Sequence, residues 1–312
     1  MMEKLLDILV CPTCSVHLDL TNKLVEEEGL KIKKGLLVCK RCGRSSRIKD
    51  YIPRFVVTDD YVDTFSFEWN KFHDVQIDIL NNTDITEQQL IRNTGWTRER
   101  LKGKLILDAG IGAGRYAEVV SRWGAEVVGV DLSFAVDVAY KNIGHRENVH
   151  ILQADLFNLP FLPETFDMVY SIGVLHHTPD TKAAFKSLVP FLKRGGEMAI
   201  FVYPAGYSHL FSDLWRKLTT RLPIKLVYYL STIAIPLYYV HKIPYLGNGL
   251  QWLLPTANWS DWRWRWLDTF DWYVPIYQNK HTYPEVFRWF KEARFTEIEI
   301  FDHPICIRGK KE

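Results

Sequence analysis

Residues 104–131 hold the feature that most limits how this chain can fold. Leu105-Ile106-Leu107 is a short apolar run of the kind a buried parallel strand presents. It leads into Asp108-Ala109-Gly110-Ile111-Gly112-Ala113-Gly114-Arg115, and Tyr116-Ala117-Glu118-Val119-Val120 then opens a helical pattern. A strand, a glycine turn and a helix bring backbone close to a ligand at the carboxyl edge of an open sheet. A second apolar run, 127–130, ends in Asp131, 23 residues after Asp108. A carboxylate at that place can accept both ribose hydroxyls of an adenosine. The expected fold is a doubly wound α/β sheet with an adenosine-type ligand at its edge.

Spacing separates the candidates for that ligand. A dinucleotide site expects G-x-G-x-x-G, with its third glycine where Arg115 stands. This chain reads G-x-G-x-G, with an acid two places before the first glycine. The ordered set continues through Val149–Leu156, which ends in Asp155-Leu156. Phe166–Asp180 follows, with Ser171 and the pair His176-His177. Phe185–Lys193, Gly195-Gly196 and Glu197–Val202 read as helix, turn and strand, and Phe295–Phe301 with Ile305–Arg308 as an antiparallel pair. This succession resembles the class I S-adenosylmethionine-dependent methyltransferases, nearest the branch that holds quinone-biosynthesis and many small-molecule enzymes. It covers about 100–204 and 283–309. The resemblance implies a Rossmann-like seven-stranded sheet. It implies S-adenosylmethionine held by Asp108, Ala109, Gly110, Gly112, Gly114, Asp131, Leu132, Asp155, Leu156 and Ser171, with Asp108 near the methionine ammonium and Asp155 near the adenine amino group. Read singly, Gly114 serves helix packing equally well, Asp155 can cap a turn, and Ser171 can simply end a strand.

Four of the five cysteines precede residue 43, as Cys11-Pro12-Thr13-Cys14 and Cys39-Lys40-Arg41-Cys42. Two C-x2-C knuckles 24 residues apart suit tetrahedral Zn2+ bound by four thiolates. All four positions are protein ligands, so the expected zinc is structural. A module of about 55 residues buries too little apolar surface to fold strongly alone, and metal binding supplies the difference. The knuckles, with Tyr51-Ile52-Pro53-Arg54-Phe55, resemble the zinc-ribbon proteins that partner certain tRNA and protein methyltransferases. Tyr51 stands where that family's closing run has glycine. The resemblance implies a stabilising rather than catalytic module, here supplied in the same chain. The expected organisation is a β-rich ribbon over 1–57, a linker or helical extension over 58–99, and a methyltransferase domain over 100–312 with a lid insertion at 204–282.

Methyl transfer is an in-line displacement, and a base helps where the acceptor must lose a proton. His177 is the candidate base, since imidazole titrates near neutrality and the loop after the fourth strand faces the reaction centre. The competing reading has both histidines shaping the loop. His176, Asp271, Trp272, Tyr277 and His281 are candidate substrate contacts. Ser66–Phe72 either covers the cofactor or packs as a linker.

In the insertion, Leu210, Leu214, Leu218 and Leu222, with Phe211 and Trp215, recur at helical spacing, and Arg216, Lys217 and Arg221 take the other faces. The uncharged run 226–240 contains Pro236 and falls short of the roughly 20 residues that span a bilayer. Three roles stay open: a lid over an apolar pocket, a peripheral membrane contact, or a buried cap. Seven of eleven tryptophans lie between 252 and 289, some interleaved with Arg263 and Arg265. Such interleaving stacks bases or cations in some proteins and fills cores in more.

Charge is uneven. Residues 1–57 carry 11 Lys and Arg against 7 Asp and Glu, whereas 58–204 carry 14 against 20. The acidic middle disfavours a long nucleic acid without closing that reading. The N-terminus lacks the apolar run of a signal peptide, so a cytoplasmic, or cytoplasmic and membrane-peripheral, location is expected. The expected acceptor is a small or lipid-like molecule methylated on O, C or N. Two rivals stand: an RNA or protein methyltransferase that docks its substrate on the ribbon, and a non-catalytic adenosyl-binding partner protein.

Overall fold

The computed structural model describes residues 1, 3–25, 31–56, 63–206, 210–302 and 305–312. The first residues of the 58–99 linker and residues 207–209 of the insertion therefore lie outside the described residues.

Seven strands form the sheet around which everything else is arranged. β5 (Leu105–Ala109), β6 (Glu126–Asp131), β7 (Val149–Gln153), β8 (Phe166–Ile172) and β9 (Leu192–Phe201) run parallel. β10 (Phe295–Phe301) and β11 (Cys306–Lys311) close one side, with β11 antiparallel to both β9 and β10. The lateral order is β7-β6-β5-β8-β9-β11-β10. The strands run outward from β5 in both directions, through β6 to β7 on one side and β8 to β9 on the other, and the place between β5 and β8 where this order reverses is the switch point where open α/β sheets bind ligands. Leu107, Val128, Val130 and Val169 are wholly buried, as strands covered on both faces require.

Leu192–Phe201 is one strand, where the sequence suggested a helix to Lys193 and a turn at Gly195-Gly196. The preceding helix, Thr181–Leu188, stops early because Pro190 follows. Gly195, at φ +71°, is absorbed as an irregularity in the pairing with β8.

The ribbon is not set apart from this sheet. β1 (Asp19–Val25), β2 (Ile32–Val38), β3 (Ser45–Lys49) and β4 (Ile52–Arg54) form an antiparallel meander. β4 then pairs parallel to β7 at Arg54 and Gln153, and the Phe55 amide donates to the Gln153 carbonyl at 2.8 Å. The result is one eleven-stranded sheet. A second seam runs along Ile8–Val10: the Val10 amide donates to Pro160 O at 2.9 Å, and the Leu162 amide to Ile8 O at 3.0 Å. Leu5, Leu9, Ile32, Leu37 and Ile48 share a core with Leu107, Leu152 and Phe161.

The insertion is helical, with segments Leu210–Thr219, Ile224–Leu230, Ala234–His241, Leu246–Leu253 and Trp262–Tyr273. Among the described residues no helix is long and apolar enough to cross a membrane. The helix Leu210–Thr219 faces opposite to a core helix. Leu214 and Leu218 are more than half exposed, while Arg216 is buried, donating to Trp272 O at 3.0 Å and Pro275 O at 2.6 Å. The tryptophan-rich stretch is divided: Trp264 and Trp289 are buried, Trp252 and Trp262 are about half exposed, and Trp259, Trp264 and Trp272 line a cavity. Asp261 caps the helix Trp262–Tyr273, Trp264 and Arg265 are both buried, and Arg265 donates to Trp259 O at 2.7 Å and lies over the Tyr238 ring.

Candidate active site

A cavity of about 990 Å³ opens at the carboxyl edge of β5, β6 and β8 and extends under the insertion. Its floor is the glycine turn. Gly110 has φ +102°, and a Cβ there would stand 2.4 Å from Val174; Gly112 has φ +52°, with the Trp69 indole 3.2 Å from where its Cβ would be. Both must be glycine for the backbone to turn and stay bare. At Gly114, with φ +91°, an added Cβ would stand 2.8 Å from Ile143 and 3.6 Å from Ala139, which is a helix-packing environment outside the cavity wall.

Acidic side chains mark this end. Asp131 lines the cavity, accepting from the Gly112 amide at 3.0 Å and from the Ser133 amide and hydroxyl at 2.9 and 2.7 Å. Burial pushes its carboxyl up, and those donors pull it back. Asp155, Leu132 and Leu156 line the wall beside it, and Asp155 accepts from the Phe157 amide at 3.0 Å. Asp108 lies behind the turn. It is buried, accepts from the Tyr170 hydroxyl at 2.7 Å, and burial raises its carboxyl to about 7. Ala109 and Ser171 form the layer beneath, where the Ser171 hydroxyl donates to Ala109 O at 2.7 Å and ties β5 to β8.

His177 lines the cavity. Its Nδ1 meets the Tyr277 carbonyl at 2.9 Å. A carbonyl can only accept, so Nδ1 carries the proton and Nε2 keeps its lone pair. Nε2 has no partner among the described residues, and burial lowers the imidazole's pKa, which keeps it neutral. Tyr277 thus orients the ring through its backbone, and its side chain is no part of the wall. His176 is wholly buried and stacks on Tyr203 at 3.9 Å between ring centres. His281 pairs with Glu285 at 2.9 Å and packs on Trp289, also off the wall. Asp271 and Trp272 do face the cavity, and Asp271 accepts from the Tyr203 hydroxyl at 3.1 Å.

Glu68 and Trp69, inside the Ser66–Phe72 run for which cofactor cover was one of two expectations, line the wall from one face of the helix Asp63–Lys71 together with Phe65. Phe65, Asp268, Arg115 and Tyr116 are wall residues that the sequence did not single out as such. Asp268 comes from the helix Trp262–Tyr273, and Arg115 and Tyr116 open the helix after the glycine turn. A signal was present: Glu68 interrupts Phe65, Trp69 and Phe72 at helical spacing, and Asp268 and Asp271 follow Trp264 at intervals of four and seven. An acid on an aromatic helix face is rarely left there without a task.

The four cysteine thiols of the ribbon lie within 4.8 Å of one another, with Cys11 Sγ and Cys42 Sγ 3.8 Å apart. Tetrahedral zinc with bonds of about 2.3 Å needs sulfurs about 3.8 Å apart, so the set fits the ion. Each knuckle is a tight turn closed by an amide, Ser15 to Cys11 O at 2.8 Å and Gly43 to Cys39 O at 2.9 Å.

Comparison with known proteins agrees with both regions. Residues 107–200 match the family model described as a methyltransferase domain, and residues 3–50 match the Trm112p-like protein family. The ubiquinone biosynthesis O-methyltransferase of Coxiella burnetii is 33% identical over 100 residues, which is 31% of this chain and 43% of that protein. The tRNA U34 carboxymethyltransferase of Pseudoalteromonas translucida is 33% identical over 132 residues, 41% of this chain and 39% of that one. The chain thus spans less than half the length of these curated relatives. A solved complex containing the Haloferax volcanii Trm112 methyltransferase activator aligns at 13% identity and TM-score 0.48, covering 82% of this chain and 99% of that one. The fold and site define a class I, S-adenosylmethionine-dependent methyltransferase domain that carries a Trm112-like zinc ribbon at its N-terminus.

Proposed function

We propose that this chain transfers the methyl group of S-adenosylmethionine to a small or lipid-like acceptor at an O, C or N atom. One observation carries the reading: a single cavity is lined by the glycine turn, Asp131 and the helical insertion, with His177 on the same wall. At about 990 Å³ it reaches the top of the range of roughly 300–1,000 Å³ usual for one ligand, leaving room for donor and acceptor together.

When bound, the donor supplies an electrophilic methyl on a sulfonium. In this reading Asp131 holds the ribose hydroxyls, Asp155 the adenine side, and the bare backbone at Gly110 and Gly112 lets the methionine part approach. Asp108, whose carboxyl burial raises to about 7 so that it is partly protonated near neutrality, ionises fully when an ammonium arrives beside it. Phe65, Trp69 and Trp272 exclude water from the wall. Holding acceptor and methyl in line is worth on the order of 7–11 kcal/mol in well-oriented systems. His177 Nε2 takes the acceptor's proton where there is one to lose.

The outward apolar stripe of Leu210–Thr219 supports a lipid-like acceptor. Most of the large exposed apolar side chains among the described residues fall between Leu214 and Trp262. Lys217, Arg221, Lys225 and Lys242 are exposed among them, and Asp213 is the sole acid in 210–253. Apolar side chains ringed by cations suit an anionic lipid surface. Trp252 and Gln251 belong both to this region and to the cavity wall, so an acceptor could pass from one to the other.

Zinc-replete protein incubated with methyl-labelled donor and a total cell extract tests the reading. Label is expected in the organic phase. Label in RNA or protein with none in the organic phase overturns it in favour of ribbon-docked macromolecules.

A further inference from the structure

Three carboxylates meet in the cavity, and they are left over from the donor site. Glu68, Asp268 and Asp271 all line the wall. Asp268 accepts from Gln76 at 3.3 Å and from the Trp259 indole, and Asp271 accepts from the Tyr203 hydroxyl. Glu68 differs from both. It is 1% exposed, and neither carboxylate oxygen has a hydrogen-bond partner among the described residues. A buried carboxylate without partners costs several kcal/mol if ionised, so it takes up a proton or waits for a counter-charge. Burial and the nearby Asp271 and Asp268 push Glu68 well up, and burial holds Asp268 at about 7.

The chain supplies only part of a counter-charge. Arg115 acts on Glu68 and Asp268 but lies over the Tyr116 ring with Gln89 within 3.4 Å, and the buried Arg216 acts on Asp271 while donating to the Trp272 and Pro275 carbonyls, so two cations stand against three acids. Lys280, also on the wall, is paired to Asp213. A small metal ion does not fit the vacancy in charge. Among the described residues the four cysteines are the sole group whose ligand atoms gather within 4.8 Å, so these carboxylates stand too far apart to share one ion. The walls between them are aromatic: Trp69, Trp259, Trp264, Trp272 and Tyr203. Aromatic faces and dispersed carboxylates favour a bulky cation whose charge is spread over several carbons.

We infer that the end of the cavity bounded by Glu68, Asp268 and Asp271 is a binding site for an organic ammonium group carried by the acceptor. This rests on the methyltransferase reading and adds the acceptor's charge to it.

The probe is octyltrimethylammonium, with octanol as neutral control, titrated calorimetrically into the full zinc-loaded chain with and without saturating S-adenosylhomocysteine. The cation is expected to bind at least tenfold tighter than the alcohol with the homocysteine product present. Glu68→Gln is expected to weaken the cation at least fivefold and leave the alcohol and the product unchanged. Equal binding of the two probes, an indifferent Glu68→Gln, or a cation that competes with the product overturns the inference; competition would give the acids to the donor. If Glu68→Gln loses the product through misfolding, Asp271→Asn read in the same way decides. Wild-type protein that fails to bind the product sinks the methyltransferase reading, whereas product binding without preference for the cation sinks this inference alone.

Discussion

The two ends of the cavity are built in opposite ways. The donor end is local: one glycine turn and the tips of three adjacent strands supply nearly all of it. Its acids are satisfied by backbone amides and hydroxyls a few residues away, as Asp131 is by Gly112 and Ser133. The acceptor end is assembled from helices almost two hundred residues apart in sequence, such as those bearing Glu68 and Asp268. One of its acids, Glu68, has no hydrogen-bond partner among the described residues. A conserved task with one ligand suits the first construction, and a variable ligand chosen by side chains suits the second.

If the two ends act separately, His177 should affect rate alone. His177→Gln is expected to lower kcat by 10²–10⁴-fold, the usual range for a general base, with donor affinity unchanged by calorimetry. A variant that lost donor affinity as well would show the ends to be one unit. Because burial holds the imidazole below its usual value, the acid limb of the wild-type rate profile should lie below about pH 6.5, with activity flat through neutrality.

The next largest effect belongs to the donor end. Asp131→Asn puts an amide NH2 toward the Gly112 amide and removes one ribose acceptor. Donor affinity should fall about tenfold to a hundredfold, the worth of a hydrogen bond to a charged group, while binding of an acceptor analogue is spared.

Asp108 sharpens the contrast through stability. Its carboxyl sits at about 7 when folded and about 3.9 when unfolded. The ionised form is therefore penalised in the fold: the cost is full above pH 7 and gone below about pH 4. Asp108→Asn should stabilise the free protein by up to about 4 kcal/mol at pH 8 in denaturant titrations. The gain should vanish by pH 4, and donor affinity should weaken. No gain at pH 8 would mean that Asp108 is already neutralised by something else.

The smallest expected effect is at the outer surface. Leu214→Glu with Leu218→Glu should weaken partition onto vesicles containing anionic phosphatidylglycerol by about tenfold, as loss of two partly buried leucines predicts. Donor affinity should not move. Unchanged partition would leave the outward stripe to some other cover.

The same division decides what could be read beforehand. The strand-turn-helix, the acids at strand ends and the paired cysteines are short-range patterns, each fixed by backbone geometry within a few residues. Asp131 and the four thiols accordingly lie where their spacing put them, and Asp155 lies on the cavity wall, at the end of the strand that the family resemblance singled out. Asp108, Ser171 and His176 fell one layer behind the wall, because spacing gives the element and not the depth. The acceptor end depends on which helices meet, and periodicity alone cannot say that a stripe such as Leu214 and Leu218 turns outward while Arg216 turns in. Its donors to Trp272 and Pro275 carbonyls, set by tertiary contact, decide the matter.

The pairing of Arg54 with Gln153 has a consequence for how such a chain behaves among others. A ribbon tethered to its own sheet faces that edge at an effective concentration in the millimolar range. A free ribbon protein, competing for the same strand from solution, would meet an edge already taken. Stoichiometry is thereby written into the polypeptide, and the abundance of any shared activator ceases to govern it.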